Sequence, residues 1–234
     1  MLSRTLPLSR PRVAVLLSGC GTHDGSEITE SVSLLVSLDK RGASAVVFAP
    51  DKPQLHAVDH LTGEEQAGER NCLREAARIA RGDAHCLSTL VAGEFDALLV
   101  PGGFGAAKNL SNFSSEGPDM TVDPLVASKL MDFSEQGKPV GLCCIAPVLA
   151  AKAIPGCSVT VGSSAESRAW PHAGAAGAIV DMGAVHVEKG AGGVHVDRSN
   201  NVVTAPAYMH RGTPGEVFDN VDEWVGTVLS RIKD

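Results

Sequence analysis

Short apolar runs rich in β-branched residues alternate along this chain with stretches whose apolar positions recur at helical spacing. Arg12 to Ser18 (RVAVLLS) reads as a buried strand, ended by the glycines of Ser18-Gly19-Cys20-Gly21. Ile28, Val32, Leu35 and Leu38 then predict a helix that buries these residues, with Ser26 as N-cap and Gly42 as its end. Ala45 to Ala49 predicts a strand, Asn71 to Ala80 a helix, and Ala97 to Val100 a strand running into Pro101-Gly102-Gly103. A helix over Pro124 to Glu135 stops at Gly137, and Pro139 to Leu142 is a further buried strand. Ser158 to Val161 predicts a strand toward the sheet edge, and Val194 to Thr204 a hairpin turning at Asn200-Asn201. The last helix carries Val217, Val221, Trp224, Val228 and Ile232 on one packing stripe. Strands alternating with helices mark βαβ units, so the expected class is α/β: a doubly wound, mainly parallel sheet with helices on both faces. In such sheets the loops at the carboxyl ends of the strands converge on one crevice.

Length and charge narrow the picture further. A chain of 234 residues fits one domain, taken as 12–234 behind a tail at 1–11. The net charge of −7 disfavours a nucleic-acid partner, and no apolar run reaches bilayer-spanning length. Six cysteines show neither C-x-x-C spacing nor a disulfide framework, which indicates a reducing compartment. None of the eight histidines has metal-ligand spacing with cysteine or carboxylate, so no metal is expected. No G-x-G-x-x-G fingerprint is present, and no other cofactor is expected. Met1 to Arg12 carries three arginines and no acid, the composition of a mitochondrial import signal. The alternative is a frayed tail on a cytoplasmic protein.

Three crevice segments carry chemistry. In Gly141-Leu142-Cys143-Cys144-Ile145-Ala146-Pro147, a strand runs into two thiols and then a helix start. A thiol in such a turn stands near backbone N–H groups able to hold an oxyanion, and the helix N-terminus favours its thiolate. Spacing does not decide between Cys143 and Cys144, and two buried core cysteines fit the pattern as well. Pro101-Gly102-Gly103 offers further backbone donors, or a tight βα turn. Glu27 and Glu30 share a helix face, with Glu30 at the apolar border where it could shuttle a proton, or act as an ordinary first-turn acid.

Together, Leu17-Ser18-Gly19-Cys20-Gly21, Asp24 to Glu30 (DGSEITE), Phe48 to Lys52 (FAPDK), Pro101 to Ser111 (PGGFGAAKNLS), Gly137-Lys138-Pro139 and Cys144 to Pro147 (CIAP) resemble one family. It is the ElbB-type glyoxalase family with its mitochondrial vertebrate relatives, the glutamine amidotransferase-like class 1 domain proteins. The resemblance implies a flavodoxin-like sandwich and a homodimer. It implies Cys144 as the elbow thiol, Glu30 as the carboxyl that hydrogen-bonds it, and Gly102, Gly103 and Ile145 as backbone groups facing a substrate oxygen. The sequence departs from the pattern twice: Thr29 stands where the family usually has a histidine, and Ser163 and Ser164 occupy the region where the wider superfamily often has one. A true glutamine amidotransferase needs a Cys-His-acid triad, so the expectation is glyoxalase or deglycase-type chemistry on small reactive carbonyls. The alternatives are a non-catalytic redox-sensing thiol at Cys144 and a protein that binds a partner or metabolite.

Overall fold

The computed structural model describes residues 10–233; the tail expected at 1–11 therefore lies largely outside the described residues. In chain order the elements are β1 (Arg12–Leu16), α1 (Ile28–Lys40), β2 (Ser44–Ala49), α2 (Cys72–Ile79), β3 (Ala84–Cys86) and β4 (Ala97–Val100). There follow α3 (Phe104–Lys108), α4 (Phe113–Glu116), α5 (Pro124–Glu135), β5 (Val140–Cys143), α6 (Pro147–Ala153) and β6 (Ser158–Val159). The chain ends with α7 (Gly174–Asp181), β7 (Val185–His186), β8 (His195–Asp197), β9 (Val202–Ala205) and α8 (Pro214–Leu229). Among the described residues no helix is long and apolar enough to cross a membrane.

Seven strands form one sheet in the order β3-β2-β1-β4-β5-β9-β8, parallel except for the β8–β9 pair. This is the doubly wound, flavodoxin-like architecture. Its central strands are buried except for Arg12 at the start of β1, as their apolar runs require. From β1 the chain builds outward to β2 on one side and β4 on the other. The loops after the adjacent strands β1 and β4 diverge, and the crevice opens between them.

The C-terminal stripe packs as predicted. Trp224 is fully buried in α8 and donates its indole N–H to the Val203 carbonyl at 3.0 Å. Its ring needs Gly141 beneath it, because a Cβ there would lie 2.3 Å from Leu99 and 3.0 Å from the indole. Thr213 and Glu216 close a capping box at the start of α8.

Three local expectations change. The strand expected at Ser158 to Val161 shortens to β6 and pairs with β7 in a separate two-stranded sheet rather than at the main sheet's edge. The α1 N-cap is Glu27, whose carboxylate accepts the Glu30 N–H at 2.7 Å; Ser26 instead accepts the Ser18 N–H at 2.8 Å. The buried face of α1 is also rotated from the one expected. It consists of Glu30, Ser31, Ser33, Leu34, Ser37 and Leu38, while Ile28, Val32 and Val36 are 47, 44 and 42% exposed. The helix carries two apolar stripes. Only the one containing Leu34 and Leu38 meets the sheet and α8, and a single-helix pattern cannot rank them.

Candidate functional site

Four loops at the carboxyl ends of β1, β4, β5 and β9 supply the crevice. The loop after β5 is the sharpest. Cys144 has φ +59, the left-handed region that costs a non-glycine residue about 1–3 kcal/mol unless its surroundings fix it. They do so through its N–H, which donates to the Ala205 carbonyl at 3.0 Å, and through the Ala146 N–H, which donates to the Cys143 carbonyl at 3.1 Å. Cys143 is therefore the last strand residue and is wholly enclosed. Cys144 occupies the turn, remains 7% exposed and lines a cavity of about 460 Å³.

Glu30 does not lean from an apolar border, as its helical position suggested. It is completely buried at the centre of the inward face of α1. One carboxyl oxygen accepts the Gly102 N–H at 2.8 Å and the other accepts the Tyr208 N–H at 3.1 Å. The Cys143 thiol donates to the same Oε2 at 3.9 Å, and the Cys144 sulfur lies beside the same carboxyl. A Cβ on Gly102 would lie 2.7 Å from the Cys144 sulfur and 2.9 Å from Glu30 Oε2, so sulfur and carboxyl converge where only a glycine fits.

Gly102 thus faces Glu30 rather than a substrate oxygen: its N–H holds the carboxyl, and its carbonyl accepts the Glu27 N–H at 2.9 Å. Gly103 and Ile145 differ. Their N–H groups are directed at the Cys144 sulfur, and neither donates to a protein oxygen among the described residues. Gly103, at φ +95, admits no side chain, since a Cβ would meet the Gly25 carbonyl oxygen and the Glu27 nitrogen at 2.4 Å.

Burial controls the protonation of this group. It raises the Glu30 carboxyl to about 7, helped by the Glu27 carboxylate, while the Tyr208 and Gly102 amides pull in the other direction. Burial also pushes the Cys144 thiol well above its ordinary value, and the neighbouring Glu30 carboxylate adds to this. The lowered thiol expected from the helix start is corrected here: α6 begins only at Pro147, and desolvation outweighs the Gly103 and Ile145 amides. Near neutrality the resting pair therefore holds its proton, with sulfur and carboxyl competing for it.

Residues distant in sequence complete the site. Tyr208 reaches Glu30 because Ala207 also lies in the left-handed region, at φ +44, with its N–H held by Asn220 Oδ1 at 2.9 Å. Glu166 and His172, on the loop between β6 and α7, line the same cavity. Nothing in their spacing to Cys144 marked them. The two departures from the family pattern lie off the wall: neither Thr29 nor Ser163 and Ser164 line the cavity, and Ser164 donates its N–H to Glu188 at 3.0 Å.

No protein-family model matches the chain. The Homo sapiens "glutamine amidotransferase-like class 1 domain-containing protein 3, mitochondrial" is 48% identical over 230 residues, covering 97% of this chain and 86% of that protein. The Rattus norvegicus "ES1 protein homolog, mitochondrial" is 49% identical over 225 residues, covering 95% of this chain and 85% of its own. Among solved structures, an isoprenoid biosynthesis protein with amidotransferase-like domain from Ehrlichia chaffeensis superposes with a TM-score of 0.86. It is 34% identical, and the match spans 95% of this chain and all of that one.

Proposed function

Because the chain belongs to the family of mitochondrial glutamine amidotransferase-like class 1 domain (ES1) proteins, we propose that it is a cofactor-independent thiol catalyst acting on reactive carbonyls in the mitochondrion. One observation carries this reading. The Cys144 sulfur lines an open cavity between a buried proton carrier, Glu30, and two amides directed at it, Gly103 and Ile145, that donate to no protein oxygen among the described residues.

As the sulfur adds to the aldehyde carbon of a 2-oxoaldehyde, its proton passes to the Glu30 carboxylate. The C=O π pair becomes an oxyanion beneath the two amides. Return of the proton gives a hemithioacetal. Transfer of the former aldehyde hydrogen, as a proton, to the adjacent carbonyl carbon gives a thioester without external oxidant. Water then releases a 2-hydroxy acid and restores the thiol. A carboxyl titrating at about 7 suits this shuttling, since a general acid–base group works best near the ambient pH.

Glutamine hydrolysis is not part of the reading, because no histidine hydrogen-bonds Cys144 among the described residues. Peroxide sensing has less support, because sensor thiols are lowered and burial raises this one. A homodimer fits the outer face of α1, where Ile28, Val32 and Val36 form an exposed stripe. The test is loss of 2-oxoaldehyde by the pure protein, Cys143→Ser and Cys144→Ser. Turnover in the first two and none in the third is expected; equal rates in all three reject the reading.

A further inference from the structure

We infer that the crevice is built for an uncharged carbonyl compound carrying an aryl or sizeable alkyl group, and that it turns away anionic ones; this rests on the thiol–carbonyl reading above. Volume is the first ground. The cavity of about 460 Å³ equals roughly fifteen waters at their liquid volume and falls in the range of pockets that enclose drug-sized ligands. Methylglyoxal at Cys144 would leave most of it filled with water. The wall beyond the sulfur is made by Phe104, Phe113, Ile145 and Tyr208, a surface that gains by covering an apolar group.

Charge is the second ground. Besides the thiol and the Tyr208 phenol, the ionisable side chains on the wall are Glu27, Glu166 and His172; no lysine or arginine lines it among the described residues. Lys108 stands behind the wall rather than on it, its ammonium donating to the His23 carbonyl oxygen at 3.0 Å and lying 5.2 Å from the centre of the Phe104 ring. An entering carboxylate or phosphate would lose water, find no arginine or lysine and face two carboxyl groups. The same asymmetry favours turnover in one direction. A neutral oxoaldehyde enters, and the carboxylate it becomes is repelled by the wall that admitted its precursor.

The experiment compares kcat/KM for phenylglyoxal, methylglyoxal and 4-carboxyphenylglyoxal. Phenylglyoxal is expected to exceed each of the others by about tenfold or more, a difference one desolvated like-charge contact or one buried ring supplies. Glu166→Lys is expected to narrow the gap between the two aromatic aldehydes. Equal values for all three aldehydes, still abolished by Cys144→Ser, overturn the ligand class and leave the thiol chemistry standing. If no aldehyde turns over, the thiol reading fails, and the ligand class is then judged by binding to the Cys144→Ser protein. Acetophenone binding more tightly than 4-acetylbenzoate in a ligand-observed NMR titration supports it; equal or reversed affinities overturn it.

Discussion

Replacing Glu30 with Gln isolates the cost of burying this carboxyl, and the cost has a sign that pH reveals. The carboxyl titrates at about 7 in the folded chain, against 4.5 for an unburied glutamate. Between these values the native state binds one more proton than the unfolded state, so stability contributed by the neutral form is present below pH 4.5 and lost as pH rises through 7. At 1.36 kcal/mol per pH unit the loss comes to about 3 kcal/mol. Gln cannot ionise. Its amide nitrogen also leaves one of the Gly102 and Tyr208 N–H groups without an acceptor, a penalty of about 1–3 kcal/mol that does not vary with pH. The measured quantity is the difference in unfolding free energy between wild type and Glu30→Gln, from urea titrations at half-unit steps from pH 4.5 to 8. Taking the difference cancels the other titrating groups, including His186 and His195, whose lowered values work in the opposite direction. The wild type's advantage over the variant should shrink by about 3 kcal/mol across the range. A constant difference would mean that Glu30 titrates alike in both states, and the argument for a poised proton carrier would fail.

Two further outcomes follow from packing. Gly141→Ala drives a methyl into Leu99, Val228 and the Trp224 ring and should lower stability by about 1–3 kcal/mol in thermal or urea unfolding. An unchanged midpoint would contradict the fit of α8 on β5. Val32→Asp charges the exposed stripe of α1, so sedimentation velocity should report monomer where the wild type reports dimer, with the far-ultraviolet circular dichroism of the fold retained. A dimer that survives the substitution places the interface elsewhere.

The chain's alternation of buried-type strands and helical stretches was enough for the architecture. Local pattern records whether a segment is covered on both faces, and βαβ handedness leaves few ways to arrange such segments. The strand bounded by Ala97 and Val100 and the helix bounded by Pro124 and Glu135 were legible to the residue; Pro101 marks the strand's end, and Pro124 and Gly137 flank the helix in the sequence itself. The site was legible only as motifs. Which sulfur stands in the turn, which face of α1 looks inward and which amides remain free all depend on contacts between segments far apart in the chain. Tyr208 reaches Glu30 across 178 positions, and Gly102 across 72. The protonation of the thiol went against the sequence reading for the same reason. Local spacing brings a helix start close to Cys144, but only the folded chain removes the water that a thiolate would need.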